Sequence, residues 1–267
     1  YYPASGLSNG EISAQSRSMH KSQGFGINSV RGTQLEYFER LDAKKAPGEA
    51  SPFDGLNFSW SRFNGGGNLD KVLEELINQF DVSAPYKSIP LLQKAEQYLE
   101  DINAGVYKEV KLKKIRELIF ECAGIFAEAF IDRQSISNGI EVRLNNEIIS
   151  RSIGITLDKI EIWPGLGDST FQKLLISNNP LYWRRDIELT GISQTAPFWL
   201  RYGRDKGMYR VDETGLRNLP VTAPTFKVRF KIKIFNKSYD IDRPVIYKND
   251  DPVIGEVRQP ADVLPLV

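Results

Sequence analysis

The amino-acid sequence predicts an α+β protein in several parts, with helices ahead of an antiparallel β-sandwich. Three observations predict it. Apolar residues recur at helical spacing in three stretches between Leu69 and Phe130. Near Ser137-Asn138-Gly139 the apolar period changes to two. The later strands follow one another without an intervening helical pattern, which argues against a parallel sheet built from strand–helix–strand units.

Residues 1–45 read as the tail of another fold. Ser8-Asn9-Gly10-Glu11 matches a capping box and predicts a helix from Ser8 to Ser22, ended by Gly24 and Gly26. Its apolar stripe is poor, with Ile12, Ala14 and Met19, so it needs a partner surface. Gln34 to Phe38 is expected to form a short strand. Residues 46–68 read as loop. Gly65-Gly66-Gly67 lacks the following Lys-Ser/Thr pair of a phosphate-binding loop and is expected to be flexible.

Leu69, Val72, Leu73, Leu76, Ile77 and Phe80 mark a first helix. Pro85, Pro90 and a capping Ser88 introduce a second, carrying Leu91, Leu92, Ala95, Tyr98, Leu99 and Ile102. A third, long helix carries Ile115, Leu118, Ile119, Cys122, Phe126 and Phe130. Short connections make these a small antiparallel three-helix region.

Strands follow. Ile140, Val142 and Leu144 alternate with Glu141, Arg143 and Asn145. Ile155 and Leu157 are out of phase with Ile160 and Ile162, which predicts a β-bulge at Asp158-Lys159. Phe226, Val228, Phe230, Ile232 and Ile234 alternate with Lys227, Arg229, Lys231 and Lys233 and form the clearest strand. A turn at Asn236-Lys237 leads to Tyr239, Ile241, Val245 and Tyr247. This series predicts an immunoglobulin- or fibronectin-like sandwich. The Pro-rich end reads as an extended linker. The expected divisions are a leading remnant at 1–45, a helical region at 46–135, a β-sandwich at 136–250 and a linker at 251–267.

The 267 residues are 41% hydrophobic and 26% charged, as for a globular protein. A formal net charge of +1 gives no global field toward nucleic acid or an anionic membrane. No apolar run has the length of a membrane span. One His and one Cys are too few for a His-rich or Cys-rich zinc centre, so no metal ligand, cofactor or catalytic residue is assigned to this chain.

Two stretches are distinctive. One runs from Ser16-Arg17-Ser18-Met19-His20-Lys21-Ser22-Gln23-Gly24-Phe25-Gly26 to Arg31-Gly32-Thr33-Gln34-Leu35-Glu36-Tyr37-Phe38. The other joins Pro197-Phe198-Trp199-Leu200-Arg201 and Gly207-Met208-Tyr209 to Tyr247-Lys248, Asp251-Pro252-Val253 and Gly255-Glu256-Val257. Together they resemble the long, secreted bacterial members of the PIG-L/LmbE deacetylase family. In that family a zinc-bound water hydrolyses the acetamide of an N-acetylglucosamine-type sugar, at an Ala-His-Pro-Asp-Asp-Glu motif and a later His-rich segment. Neither occurs here. The resemblance makes this chain the non-catalytic part that follows the zinc site. It implies a secreted, periplasmic or cell-surface location and zinc in a preceding deacetylase-like domain of the same polypeptide. Residues 1–45 become that domain's last helix and strand, with His20 and Gln23 as contacts to it.

Three functional readings follow: an accessory segment that supports the catalytic domain or orients substrate, a carbohydrate-binding module, or a structural spacer. For the second, Trp183, Arg184, Trp199, Arg201 and Tyr202 are the candidate ligand-binding residues, because aromatic faces and guanidinium forks suit glycans. The plainer alternative places Trp199 in the core and leaves the arginines solvated. Likewise His20 either approaches a cleft or bonds locally at a helix end, and the Lys227–Lys233 row either meets a polyanion or is the wet face of a sheet.

Overall fold

The computed structural model describes residues 1–37, 53–204, 206–224 and 226–265. The chain forms two compact units, Tyr1–Asn57 and Phe58–Val267.

In the first unit, α1 spans Asn9–Ser18, shorter than expected, and Lys21–Gln23 form a 3-10 turn closed by Gly24 at φ 67°. The capping box is present. Ser8 Oγ accepts from the Glu11 N–H at 3.3 Å, and Glu11 Oε2 accepts from the Ser8 N–H at 3.1 Å. Arg31 Nε donates to Glu11 Oε1 at 2.8 Å. The Ser8 donors first, and Arg31 after them, hold the Glu11 carboxyl below its usual range. The expected strand is absent over residues 34–37, which are irregular; Phe38 lies outside the described residues. A strand needs a neighbour for its backbone groups, and the described residues of this unit offer a single bridge, Tyr2–Leu7. Ala14 is the one buried apolar side chain among them, while Met19, Leu35 and Tyr37 are exposed.

The second unit opens with three helices. α2 spans Gly66–Gln79, α3 Ile89–Asp101 and α4 Val106–Ala123. α3 packs against both α2 and α4. Its buried stripe is Ile89, Leu92, Ala95, Glu96 and Leu99; that of α4 is Leu112, Ile115, Ile119 and Ala123. On α2, Leu69 and Val72 are buried, but Ile77 and Phe80 stay exposed. Two expectations fail locally. Ser88 occupies the N-cap position of α3 yet makes no side-chain cap, because the chain enters through a 3-10 turn at Pro85–Ser88. The third helix does not reach Phe126 and Phe130. Gly124 stops it at φ 67°, in the left-handed region that favours glycine, and its N–H donates to Glu121 O at 2.9 Å. The next residues then run as a strand.

Among the described residues there are ten strands: β1 Ile125–Ile131, β2 Ser135–Ser137, β3 Glu141–Ser150, β4 Ile155–Trp163, β5 Gly167–Leu175, β6 Leu181–Glu188, β7 Lys227–Ile234, β8 Lys237–Asp251, β9 Gly255–Pro260 and β10 Asp262–Leu264. The main order is β5-β4-β7-β8-β1-β3-β6, with β9 also on β8 and a separate parallel pair β10-β2. Neighbours in the main sheet are antiparallel except β1 and β8. β8 changes partners along its length: Lys237–Pro244 pair with β7, Val245–Tyr247 run parallel to β1, and Ile246–Asp251 pair with β9.

The sheet is nearly closed on itself. Phe171 of edge strand β5 meets Trp183 of edge strand β6 edge-to-face at 5.7 Å, and Arg185 Nη1 donates to Asp168 O at 2.9 Å. Helices and strands of the second unit share one apolar core.

Alternation does its work in β3, where Val142, Leu144, Asn146, Ile148 and Ser150 are buried, and in β7, where Val228, Phe230, Ile232 and Ile234 are. The predicted bulge is present: the β4–β7 register shifts between Leu157 and Lys159. The expected linker instead contributes β9 and β10. Val263 is buried, and its N–H donates to Thr195 Oγ1 at 2.9 Å. Its prolines misled because an edge strand such as β9 tolerates Pro260 at its end.

The β7–β8 turn is Phe235-Asn236, since Ile234 pairs with Lys237. Phe235 has φ 52° and a 55% exposed side chain. A left-handed residue with a Cβ costs about 1–2 kcal/mol, and glycine loses about 0.5–1 kcal/mol of chain entropy on ordering. Phe235→Gly is therefore expected to stabilise the second unit by up to about 1 kcal/mol, read as a higher urea midpoint at unchanged slope.

Candidate ligand-binding surfaces

The seven candidate residues fall into separate local groups. Trp183, on β6, is half-buried, packs on the core and closes the β5–β6 seam with Phe171. Its strand neighbours Tyr182 and Arg184 point to the other side of the sheet and are exposed. Trp199 lies in a 3-10 turn at Phe198–Leu200. There Phe198 is the buried residue, and half-buried Trp199 stands edge-on to it at 4.9 Å. Arg201 and Tyr202 converge on Glu213: Arg201 Nη1 is 3.7 Å from Oε1, and the Tyr202 hydroxyl donates to it at 3.3 Å. The Arg210 guanidinium lies 5.6 Å from the Tyr202 ring centre and pairs with Asp212 at 2.8 Å. In the first unit, exposed His20 and Gln23 bond to each other, Nδ1 to Oε1, at 3.1 Å.

The basic row on β7 is matched by acids from the strands beside it. Lys227 and Arg229 pair with Asp242 at 2.9 and 2.6 Å, and Arg229 also with Asp240 at 3.3 Å. Lys231 pairs with Glu161 at 3.0 Å and Lys233 with Asp158 at 3.1 Å. Lys159 adds pairs to Glu161 and Asp168. The row forms a ladder of ion pairs on a wet sheet face. Trp163, absent from the sequence-derived candidates, is 43% exposed at its end, with Lys227 and Arg229 near its ring at 5.9 and 5.7 Å.

The Arg229 hydrogen bond outweighs the opposing effect of burial and, with Lys227 adding to it, holds the Asp242 carboxyl down to about 2, from 3.8 when unperturbed. A carboxyl depressed in the folded state contributes stability above its unfolded value and loses it as pH falls through the folded one. Stability is thus expected to fall between about pH 4 and 2, and Asp242→Asn to flatten that part of the curve. Solvent screening keeps the contribution to about 1 kcal/mol or less. Thermal melts across this range check it.

Sequence reasoning also passed over the buried charges. Glu96 has a fully buried side chain and pairs with Arg116 Nε at 2.6 Å and Lys237 Nζ at 2.9 Å. Glu128 is 4% exposed and pairs with Lys248 at 2.8 Å and Arg258 at 2.9 Å. The signal was available for Glu96, which falls in the stripe Ile89, Leu92, Glu96, Leu99. Glu128 gave none, since it sits on the outward parity of β1 and is covered by residues distant in sequence. Cys122 is a free, half-buried thiol, and burial pushes its pKa up, away from thiolate reactivity.

Among the described residues, no group of three or more His, Cys, Asp and Glu side chains is placed to hold a metal ion, and no helix is long and apolar enough to cross a membrane. No family model and no curated protein matches this chain. Among solved structures, the alkylpurine DNA glycosylase AlkC of Pseudomonas fluorescens, bound to DNA containing an abasic site analog, is similar over 65% of this chain and half of that one. Identity is 9% and the TM-score 0.21, a level that carries no argument about fold or function.

Proposed function

We propose that this chain is an accessory segment of a secreted, zinc-dependent N-acetyl-sugar deacetylase-like protein, supporting a preceding catalytic domain or orienting its glycan substrate. One observation carries the reading: the described part of the first unit has a well-capped helix but one buried apolar side chain, whereas the second unit has a core of its own. A capped helix without a core is what a terminal piece of another domain looks like. The zinc and its ligands belong, on this reading, to that preceding domain. The strand order supports an immunoglobulin-like sandwich for the second unit, with two antiparallel halves joined through parallel β1 and β8.

The test uses the whole parent polypeptide. An Ala-His-Pro-Asp-Asp-Glu motif is expected upstream of Tyr1. Deleting residues 58–267 is expected to lower turnover of polymeric N-acetylglucosamine more than that of a short oligomer. Absence of the motif, or equal loss on both substrates, contradicts the proposal. Exposed Tyr182 and Arg184 favour the second reading, a carbohydrate-binding module. Calorimetric titration with chito-oligosaccharides, lost in Tyr182→Ala, supports that reading, and no heat at millimolar sugar removes it.

A further inference from the structure

We propose that the groove between α4 and β8 binds a small amphipathic carboxylate, anchored by Arg243. The groove has a volume of about 400 Å³, within the range of small-molecule sites. It exists because β1 and β8 pair only over Ala129–Ile131 and Val245–Tyr247. Ahead of that point Ile125 and residues 240–243 stand on two sides of an open wedge, and α4 supplies the third wall. Its apolar lining is Leu112, Phe120, Ile125 and Ile241.

Arg243 is the unusual member. It occupies the inward parity of β8, in line with buried Tyr239, Ile241 and Val245. Its Nε donates to Ala127 O at 2.9 Å and its Nη1 to Asp242 O at 3.1 Å, so both bonds go to backbone carbonyls. Arg116, Arg229, Lys237 and Lys248 each hold a carboxylate, but Arg243 has none among the described residues. Burial works against its charge more than nearby Asp242 supports it. A half-buried guanidinium with N–H donors left over gains most from a carboxylate, whose two oxygens match its planar fork.

The acids around the groove do not oppose this. Asp240 and Asp242 are held by Arg229 and Lys227, and Glu117 lies 3.5 Å from Lys114. Glu109 and Glu121 stand near opposite ends of the α4 wall, roughly 18 Å apart at the helical rise. Between them Lys113 and Arg116 join Arg243, although Arg116 is already engaged with Glu96 and Glu100. The centre of the groove therefore favours an anionic head, and its lining an apolar tail.

The test is calorimetric titration of the whole chain with straight-chain carboxylates from butanoate to decanoate, with 4-phenylbutanoate, and with the matching primary amides. Carboxylates are expected to bind saturably and their amides at least about tenfold more weakly, because the amide forfeits a charge-assisted pair. Arg243→Met is expected to lose about tenfold for the acids and little for the amides. Should Arg243→Met fail to fold, Glu117→Trp decides: it obstructs the groove from the helix side, leaves Arg243 in place, and is expected to abolish binding. Equal affinity for acid and amide, unchanged binding in the variant that folds, or no saturable binding by any carboxylate in the series overturns the proposal.

Discussion

Gly66→Ala is expected to destabilise the second unit by about 3 kcal/mol or more, at the upper end of overpacking costs. A Cβ at residue 66 would stand 1.8 Å from Trp60 O and 2.4 Å from the Trp60 carbonyl carbon. Neither atom is the end of a flexible side chain, so backbone must move. It is poorly free to move, because the Asp70 carboxylate accepts the N–H groups of Trp60 at 2.9 Å and Ser61 at 2.8 Å. α2 thus pins the 3-10 turn at Trp60–Arg62 against its own first residue, and a side chain there breaks the arrangement. Two controls sharpen the test. Gly67→Ala meets open space and is expected to be neutral or to stabilise by up to about 1 kcal/mol through helix propensity. Gly66→Ala should cost less in an Asp70→Ala background, where the turn is released, and the double-mutant cycle measures that coupling. A loss below about 1 kcal/mol for Gly66→Ala in urea titrations would show that the turn is not held as described.

The same glycine run shows what the sequence could and could not convey. Its composition says loop, yet Gly66 and Gly67 open a helix, and the demand for glycine at 66 comes from a backbone carbonyl six residues earlier in the chain. Features set by near neighbours were legible. The Ser8–Glu11 capping box, the alternation in β7 and the phase slip at Leu157/Lys159 all appear where local pattern placed them. Features set by distant partners were not. Phe126 and Phe130 fit a helical stripe and a strand equally well, and the stop at Gly124 decides between them. β8 alternates as one strand, but its period does not say that it serves β7, then β1 and β9. Of the candidate ligand-binding residues, Trp183 was assigned by chemistry alone; strand parity turns it toward the core and leaves Tyr182 and Arg184 outside. Arg243 and Glu96 are the opposite case, charged residues at core-facing positions of an apolar pattern, where the pattern's exception is the informative part.

Glu96 supports the second large expected effect. Its carboxylate has no solvent exposure, and besides Arg116 and Lys237 it accepts the Tyr239 hydroxyl at 3.0 Å. Gln93 Nε2 completes the set, donating to the Tyr239 hydroxyl oxygen at 3.2 Å and to the Ile234 backbone carbonyl at 3.1 Å. One carboxylate therefore joins α3, α4 and the start of β8, and burial pushes the Tyr239 phenol well above its ordinary value, so it stays a donor. Glu96→Ala removes the shared acceptor, opens a cavity beneath α3 and leaves the Tyr239 hydroxyl proton without its acceptor. Its expected cost is about 3–5 kcal/mol, the range for breaking a buried ion pair from one side. Arg116 and Lys237 soften that loss, because Glu100 stands 3.2 and 3.5 Å from them and both reach water. Replacing the network at its core should therefore be gentler than breaking it. Glu96→Leu combined with Tyr239→Phe fills the space, leaves no orphan hydroxyl, and is expected to recover at least about half of the Glu96→Ala loss. Urea titration of both variants separates the two accounts. If the apolar pair is no better than Glu96→Ala, the charges themselves hold the helices to the sheet; if Glu96→Ala costs under about 1 kcal/mol, the surrounding apolar core suffices without them.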